Sequence, residues 1–398
     1  MKKRLFVLLL FIVLFTGCKN KENVSIKSSD QFKIGVNKVD NILNEMSLDE
    51  KIAQMMIVYY TSDEMDDTLK STLEEVKPGG FILFGENITT YEKTINFIKE
   101  IKRTSSIPMF MSIDQEGGDV QRLLYLKDMD VSNIPDMNKL GKIDDLNYTY
   151  KIGKVISEEL KVFGINMDFA PVIDVYSNID NKVIGNRSFG SNSDLVSRHG
   201  IKISEAFMDN GIVPVYKHFP GHGNTSVDSH VDLPIVNKTK EELYSEDLIP
   251  FINAIKNDAK VIMVGHLAVP SISSNNEPAS LSKKIITDFL KNELNYNGLV
   301  ITDALNMGAL TNFYDDEEIC GKAVEAGVDI LLMPSSSRMC WKSIKKLISD
   351  GIIEEETINK SVRKILELKY DKIEKDYNKY LPKEYLNSEE HKKIINRE

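Results

Sequence analysis

Residues 217–230 of the 398-residue chain carry three of its 6 histidines, in Lys217-His218-Phe219-Pro220-Gly221-His222-Gly223 and then Asp228-Ser229-His230. His218 and His222 have the four-residue spacing of zinc ligands on a helix. Pro220 and Gly221 stand between them and oppose a helix, so the two imidazoles need not share a face. Gly221-His222-Gly223-Asn224-Thr225 offers a glycine-rich cradle for phosphate as another chemistry, but without the lysine of a Walker loop. Further along the chain Asp114, Lys217, His218, His266 and Asp303 each end an apolar run or follow it directly. One polar residue there is an ordinary loop residue; five ionisable groups delivered by four runs are a candidate site.

The elements that must position them follow one rhythm, a short apolar run and then a segment of helical apolar spacing. Eight strands are predicted: Met56–Tyr60, Phe81–Phe84, Met109–Asp114, Asn166–Ala170, Val213–Lys217, Val261–Gly265, Val300–Asp303 and Ile330–Met333. Helices are predicted over Leu69–Val76, Tyr91–Thr104, Tyr148–Phe163, Asp194–Asn210, Lys240–Asn257, Lys283–Leu294 and Ile319–Ala326, with closing helices over Ile344–Leu368. Near-continuous apolar strands alternating with helices imply a parallel sheet, and eight repeats imply closure into an α/β (β/α)8 barrel. A doubly wound open sheet is the alternative. In a barrel the active site gathers where strands end, which is where these polar residues fall.

Composition excludes other classes. Fifty Lys and Arg against 60 Asp and Glu give a net charge of −10, without the basic clusters that nucleic acid requires. Three cysteines cannot staple a chain of this length, and 42% hydrophobic residues suffice for an ordinary core. Cys320 and Cys340 form a disulfide or stay reduced; spacing does not decide. Lys2, Lys3 and Arg4 precede the apolar run Leu5–Phe15, too short to span a bilayer and of the form of an export signal. Leu14-Phe15-Thr16-Gly17-Cys18 resembles the lipobox of bacterial lipoproteins. The expectation is a signal peptide over 1–17, acylation of Cys18, a polar tether over 18–35 and attachment to the outer face of the cytoplasmic membrane.

Lys217 to Gly223 with Asp228-Ser229-His230 resembles the signature of family 3 glycoside hydrolases of the β-N-acetylglucosaminidase kind. Met46–Met55, Ile113–Gly118 with Gln121-Arg122-Leu123, Ile184–Gly190 and Ile301–Met307 resemble further motifs of that family, in its order. The resemblance runs over residues 36–369. It implies that Asp303 is the nucleophile of a retaining glycosidase and that His230, paired with Asp228, is the acid/base. Imidazole titrates near pH 6.5, and an adjacent carboxylate fixes its tautomer and steadies its protonated form. Asp114, Arg122, Arg187, Lys217 and His218 match positions that hold the terminal sugar. Asp174 and His266 are neighbours without an assigned role, Glu116 reads as structural, and His222 as a support for its loop. The polar stretch 224–232 is expected to be mobile, assembling the dyad only as it closes on substrate. His199 and His391 fall on polar helical segments and are expected at the surface.

About 65 residues follow the eighth strand, and 370–398 read as a charged tail, so no second α/β domain is expected. That favours an exo-acting β-N-acetylglucosaminidase acting on peptidoglycan fragments, with a carbohydrate as partner, no cofactor, no metal and no nucleic acid. A phosphorylase or a β-glucosidase of the same fold, a metal-dependent barrel hydrolase and a sugar-binding lipoprotein are the competing readings. Oligomeric state is not legible.

Overall fold

In a computed structural model describing residues 38–398, buried runs of two to seven residues form the barrel wall. They are β1 (Met56–Val58), β2 (Gly80–Leu83) and β3 (Phe110–Ile113), then, after a small hairpin of β4 (Gln115–Gly117) and β5 (Val120–Gln121), β6 (Met167–Asp168), β7 (Val213–Phe219), β8 (Val261–Val264), β9 (Leu299–Thr302) and β10 (Leu331–Leu332). Every residue of the eight wall strands is buried, as expected of a parallel sheet covered on its outer face. All pairings in the wall are parallel, in the order β10-β1-β2-β3-β6-β7-β8-β9. The seam between β9 and β10 is closed by a parallel bridge from Ile301 to Ile330, with Ile330 donating its N–H to Val300 O at 3.0 Å. The chain is a (β/α)8 barrel. The signal peptide over 1–17, Cys18, the tether over 18–35 and the domain start at Val36 lie outside the described residues.

The helices start where side chains can cap free N–H groups. Asp66, Thr90, Asp145, Asn192, Asp315 and Ser336 each accept a backbone N–H at the head of a helix. The segment expected as one helix over Lys240–Asn257 is two, Lys240–Ser245 and Ile249–Lys256. Pro250 has no N–H to give, so it is placed in the first turn of the second helix, where none is needed. Cys320 and Cys340 are joined, tying the helix Asp316–Ala326 to the helix Ser337–Ser349.

Two expectations about surface residues are overturned. His199 is buried: its Nε2 is 3.0 Å from Asp144, its Nδ1 is 2.8 Å from Thr149 Oγ1, and its ring stacks on Phe189. His391 is buried too, with Nε2 3.0 Å from Glu158 and Nδ1 3.2 Å from Glu159. The stretch 370–398 is therefore more than a charged tail. It crosses the base of the barrel in short helical turns and ends in a helix, Glu389–Asn396, packed on the helix Leu146–Phe163. Lys369, fully buried, reaches Gln54 Oε1 and Gly79 O at 2.7 Å each, and Tyr377 Oη accepts the N–H of Met109 at 3.0 Å.

Candidate active site

The floor of the barrel mouth is a network of charges set by three strands. Asp114 follows β3, Glu116 lies in β4 and Lys217 in β7. Lys217 Nζ is 2.7 Å from Asp114 Oδ1 and 2.6 Å from Glu116 Oε1, leaving one of its three hydrogens for a ligand. Arg187 holds Glu116 through Nε and Nη2, both at 2.8 Å, and gives Nη1 to Val183 O. Burial would raise the Glu116 carboxyl, but Arg187 and Lys217 outweigh it and keep it far below the usual carboxylate range. Arg122 lies over the Phe84 ring with Nη2 3.9 Å from Asp114, and its buried Nε has no partner among the described residues.

Asp168, at the end of β6, accepts the N–H of Gln115 at 2.9 Å through Oδ1 and has no partner for Oδ2 among the described residues. Burial drives its pKa well above the ordinary range and the carboxylates of Asp114 and Glu116 add to this, against Lys217.

Beside this floor lies Asp174, fully buried. It accepts Nδ1–H of His218 at 2.7 Å, the backbone N–H of His218 at 3.2 Å, and that of His222 at 2.7 Å. Burial opposes its charge, but His218 and His222 hold its pKa below the ordinary value. The His218 and His222 rings meet edge to face at 5.8 Å, and the Lys217–His218 and Phe219–Pro220 peptides are cis. His222, pushed down to about 4 by burial and by His218, braces the following loop: Thr225 Oγ1 is 2.7 Å from its Nδ1 and Ser229 Oγ 3.4 Å from its Nε2.

Asp303 follows β9 and stays partly exposed, its Oδ1 accepting the N–H of Ala304 at 2.8 Å. Burial would raise it, but His218, His266, that N–H and Lys217 hold its pKa below the ordinary value, so it is an anion at neutral pH. His266, buried after β8, accepts from Ser280 at Nδ1 (2.7 Å) and donates Nε2–H to Ala304 O at 2.9 Å, fixing the segment after Asp303.

The last group is on the loop after β7. His230 Nδ1 is 2.8 Å from Asp228 Oδ1, which also accepts the backbone N–H of His230 at 2.9 Å. The imidazole is 68% exposed. The pair is held within the loop itself, because the carboxylate caps the turn that carries the histidine. Burial would raise the Asp228 carboxyl, and the bonds from His230 lower it.

The structure thus brings Asp114, Arg122, Arg187 and Lys217 into one network, seats His218 beside it, and sets Asp303 where the charges of His218 and Lys217 act on it. Asp174 and Glu116 are the joints of this arrangement. The sequence signal for Asp174 was an ionisable residue inside the apolar stretch Phe169–Val175.

Residues 47–368 match the family described as the glycosyl hydrolase family 3 N terminal domain. The chain belongs to glycosyl hydrolase family 3. Among the proteins it is similar to is beta-hexosaminidase A of Pseudoalteromonas piscicida, 36% identical over 65% of this chain and 46% of that protein. Another is the beta-hexosaminidase of Nitrosomonas eutropha, 32% identical over 68% of this chain and 77% of that one. The chain therefore spans less than half of the first relative. A solved family 3 beta-N-acetylglucosaminidase from Paenibacillus sp. str. FPU-7 superimposes with a TM-score of 0.82 at 33% identity, covering 88% of this chain and 68% of that chain.

Proposed function

We propose that the protein is an exo-acting, retaining β-N-acetylglucosaminidase. The observation that carries this is the Asp228–His230 pair, hydrogen-bonded at 2.8 Å on a loop at the same barrel mouth as the anionic Asp303. Asp303 attacks the anomeric carbon while imidazolium His230 protonates the departing oxygen, giving a glycosyl ester on Asp303 and a neutral imidazole. His230 then takes a proton from water, the hydroxide attacks the anomeric carbon, and the Asp303 carboxylate leaves. Asp228 orients the ring through the hydrogen bond to Nδ1. Asp114, Arg122, Lys217 and His218 hold the sugar hydroxyls. Arg187 acts chiefly by fixing Glu116, with one hydrogen on each of Nη1 and Nη2 left over for the ligand.

The export signal and the Cys18 lipobox support an enzyme anchored outside the cytoplasmic membrane and fed by peptidoglycan fragments. The test is turnover of a chromogenic β-N-acetylglucosaminide and of the matching β-glucoside, each with and without phosphate. Selective, phosphate-independent release from the acetylated sugar is expected. Sugar 1-phosphate as product would replace the hydrolase with a phosphorylase, and binding without turnover would replace it with a sugar-binding lipoprotein.

A further inference from the structure

The loop that carries Asp228 and His230 does not stand alone at the barrel mouth. Between these two outward-facing residues, Ser229 is buried; its Oγ meets His222, and its carbonyl accepts the N–H of Ala309 at 3.1 Å. Two residues on, the Val231 carbonyl accepts Nδ2–H of Asn312 at 2.9 Å. Ala309 and Asn312 belong to the segment that follows Asp303, with a short helix over Gly308–Thr311. The fit is close at Gly308: a Cβ there would lie 2.6 Å from His230 O and 3.0 Å from Val231 O. Backbone carbonyls cannot swing aside as a flexible side chain does, so a methyl group at 308 forces the loops apart.

We infer that Gly308 and Asn312 form a ledge that holds the Asp228–His230 loop in its working position. They are positioning residues that act through His230, an inference resting on the acid/base role proposed above. The geometry joins the two halves of the reaction mechanically. The segment that follows β9 and begins with Asp303 continues into the surface on which the acid/base loop sits, so the relative placement of the two groups is set by Ser229 to Ala309 and Val231 to Asn312. Two contacts to carbonyls and one bare Cα hold a loop whose side chains are otherwise largely exposed. A group that must give a proton to the leaving oxygen and then take one from water has to hold one distance through both steps, and this ledge supplies it.

The experiment compares Asn312→Asp, Gly308→Ala and His230→Ala on two substrates, a dinitrophenyl β-N-acetylglucosaminide and a disaccharide with a sugar leaving group, with amide exchange of Ala309 followed by mass spectrometry. Asn312 is exposed, and its aspartate keeps the shape while replacing the donor by an acceptor facing Val231 O, so this variant folds. The expected result is a fall in kcat of about tenfold or more on the disaccharide with little change on the activated glycoside, an unchanged KM, and faster exchange at Ala309 in both ledge variants. If His230→Ala shows the leaving-group contrast and the ledge variants do not, the inference fails while the acid/base role stands. If His230→Ala lacks the contrast, the acid/base role fails and takes the catalytic part of the ledge with it. Unchanged protection of Ala309 in both ledge variants would overturn the docking itself.

Discussion

The Asp174 carboxylate, 2.7 Å from Nδ1 of His218, also accepts the backbone N–H of His222, so one buried anion fixes both ends of the segment between the two histidines. The segment leads from the sugar-binding floor to the loop of His230. Its shape therefore depends on a residue that touches no substrate.

Replacing that residue is expected to be costly. Asp174→Ala leaves the His218 N–H groups and the His222 N–H, all on buried residues, without their acceptor. Urea denaturation should show a loss of about 3 to 5 kcal/mol, with activity falling even under conditions where the variant is folded. A variant as stable as the parent would mean that another acceptor takes over.

Asp303→Asn keeps shape and removes the anion. Turnover of an aryl β-N-acetylglucosaminide should fall by about a thousandfold or more while the circular dichroism spectrum and melting temperature stay close to those of the parent. Near-normal turnover would remove Asp303 from the nucleophile role.

The disulfide makes a separate prediction. Cys320→Ser with Cys340→Ser frees a closed loop with a sequence separation of 20 residues, between two helices that carry none of the site residues. Stability should fall by about 3 kcal/mol in denaturant, and kcat at low temperature should stay at the parent value. A reduced parent protein should behave like the double variant.

His391 predicts a loss of stability at alkaline pH. Burial opposes its charge, but Glu158 and Glu159 win and raise it to about 9, so the folded state prefers the imidazolium. Its contribution is complete below the unfolded value near pH 6.5 and is lost as pH rises through about 9, a change on the order of 3 kcal/mol. Melting temperatures measured from pH 6 to 10 should fall across that window, and His391→Gln should flatten the fall. A parallel fall in both proteins would assign the effect elsewhere.

Much of the barrel was legible in the sequence because each wall strand is buried on both faces and so reads as an unbroken apolar run. All eight are legible, with ends that differ from the ladder by up to two residues: Tyr59, Phe84 and Ala170 continue the apolar runs beyond it, while β7 runs on past Lys217 to Phe219. The hairpin of β4 and β5 was missed: its strands of three and two residues are too short to show a period, and Gly117 and Gly118, at φ of 99° and 56°, supply the turn by conformation. Residue types identified the charged groups at the strand ends. They did not reveal which of those groups organise the others, because two of the three partners of Asp174 are backbone N–H groups and those of His199 and His391 lie about 50 and 230 positions away. A polar helix surface in sequence is a statement about composition, and a single inward histidine with a carboxylate waiting for it does not alter the pattern.

The family match ends at residue 368, and a minimal catalytic domain drawn from it would stop there. Lys369 occupies the base of the barrel beneath β1 and β2, Tyr377 lies beneath β3, and His391 locks the last helix to the side. A protein trimmed at the match boundary would open a hole in its own foundation. Expression designs and fusion partners should treat the final thirty residues as masonry.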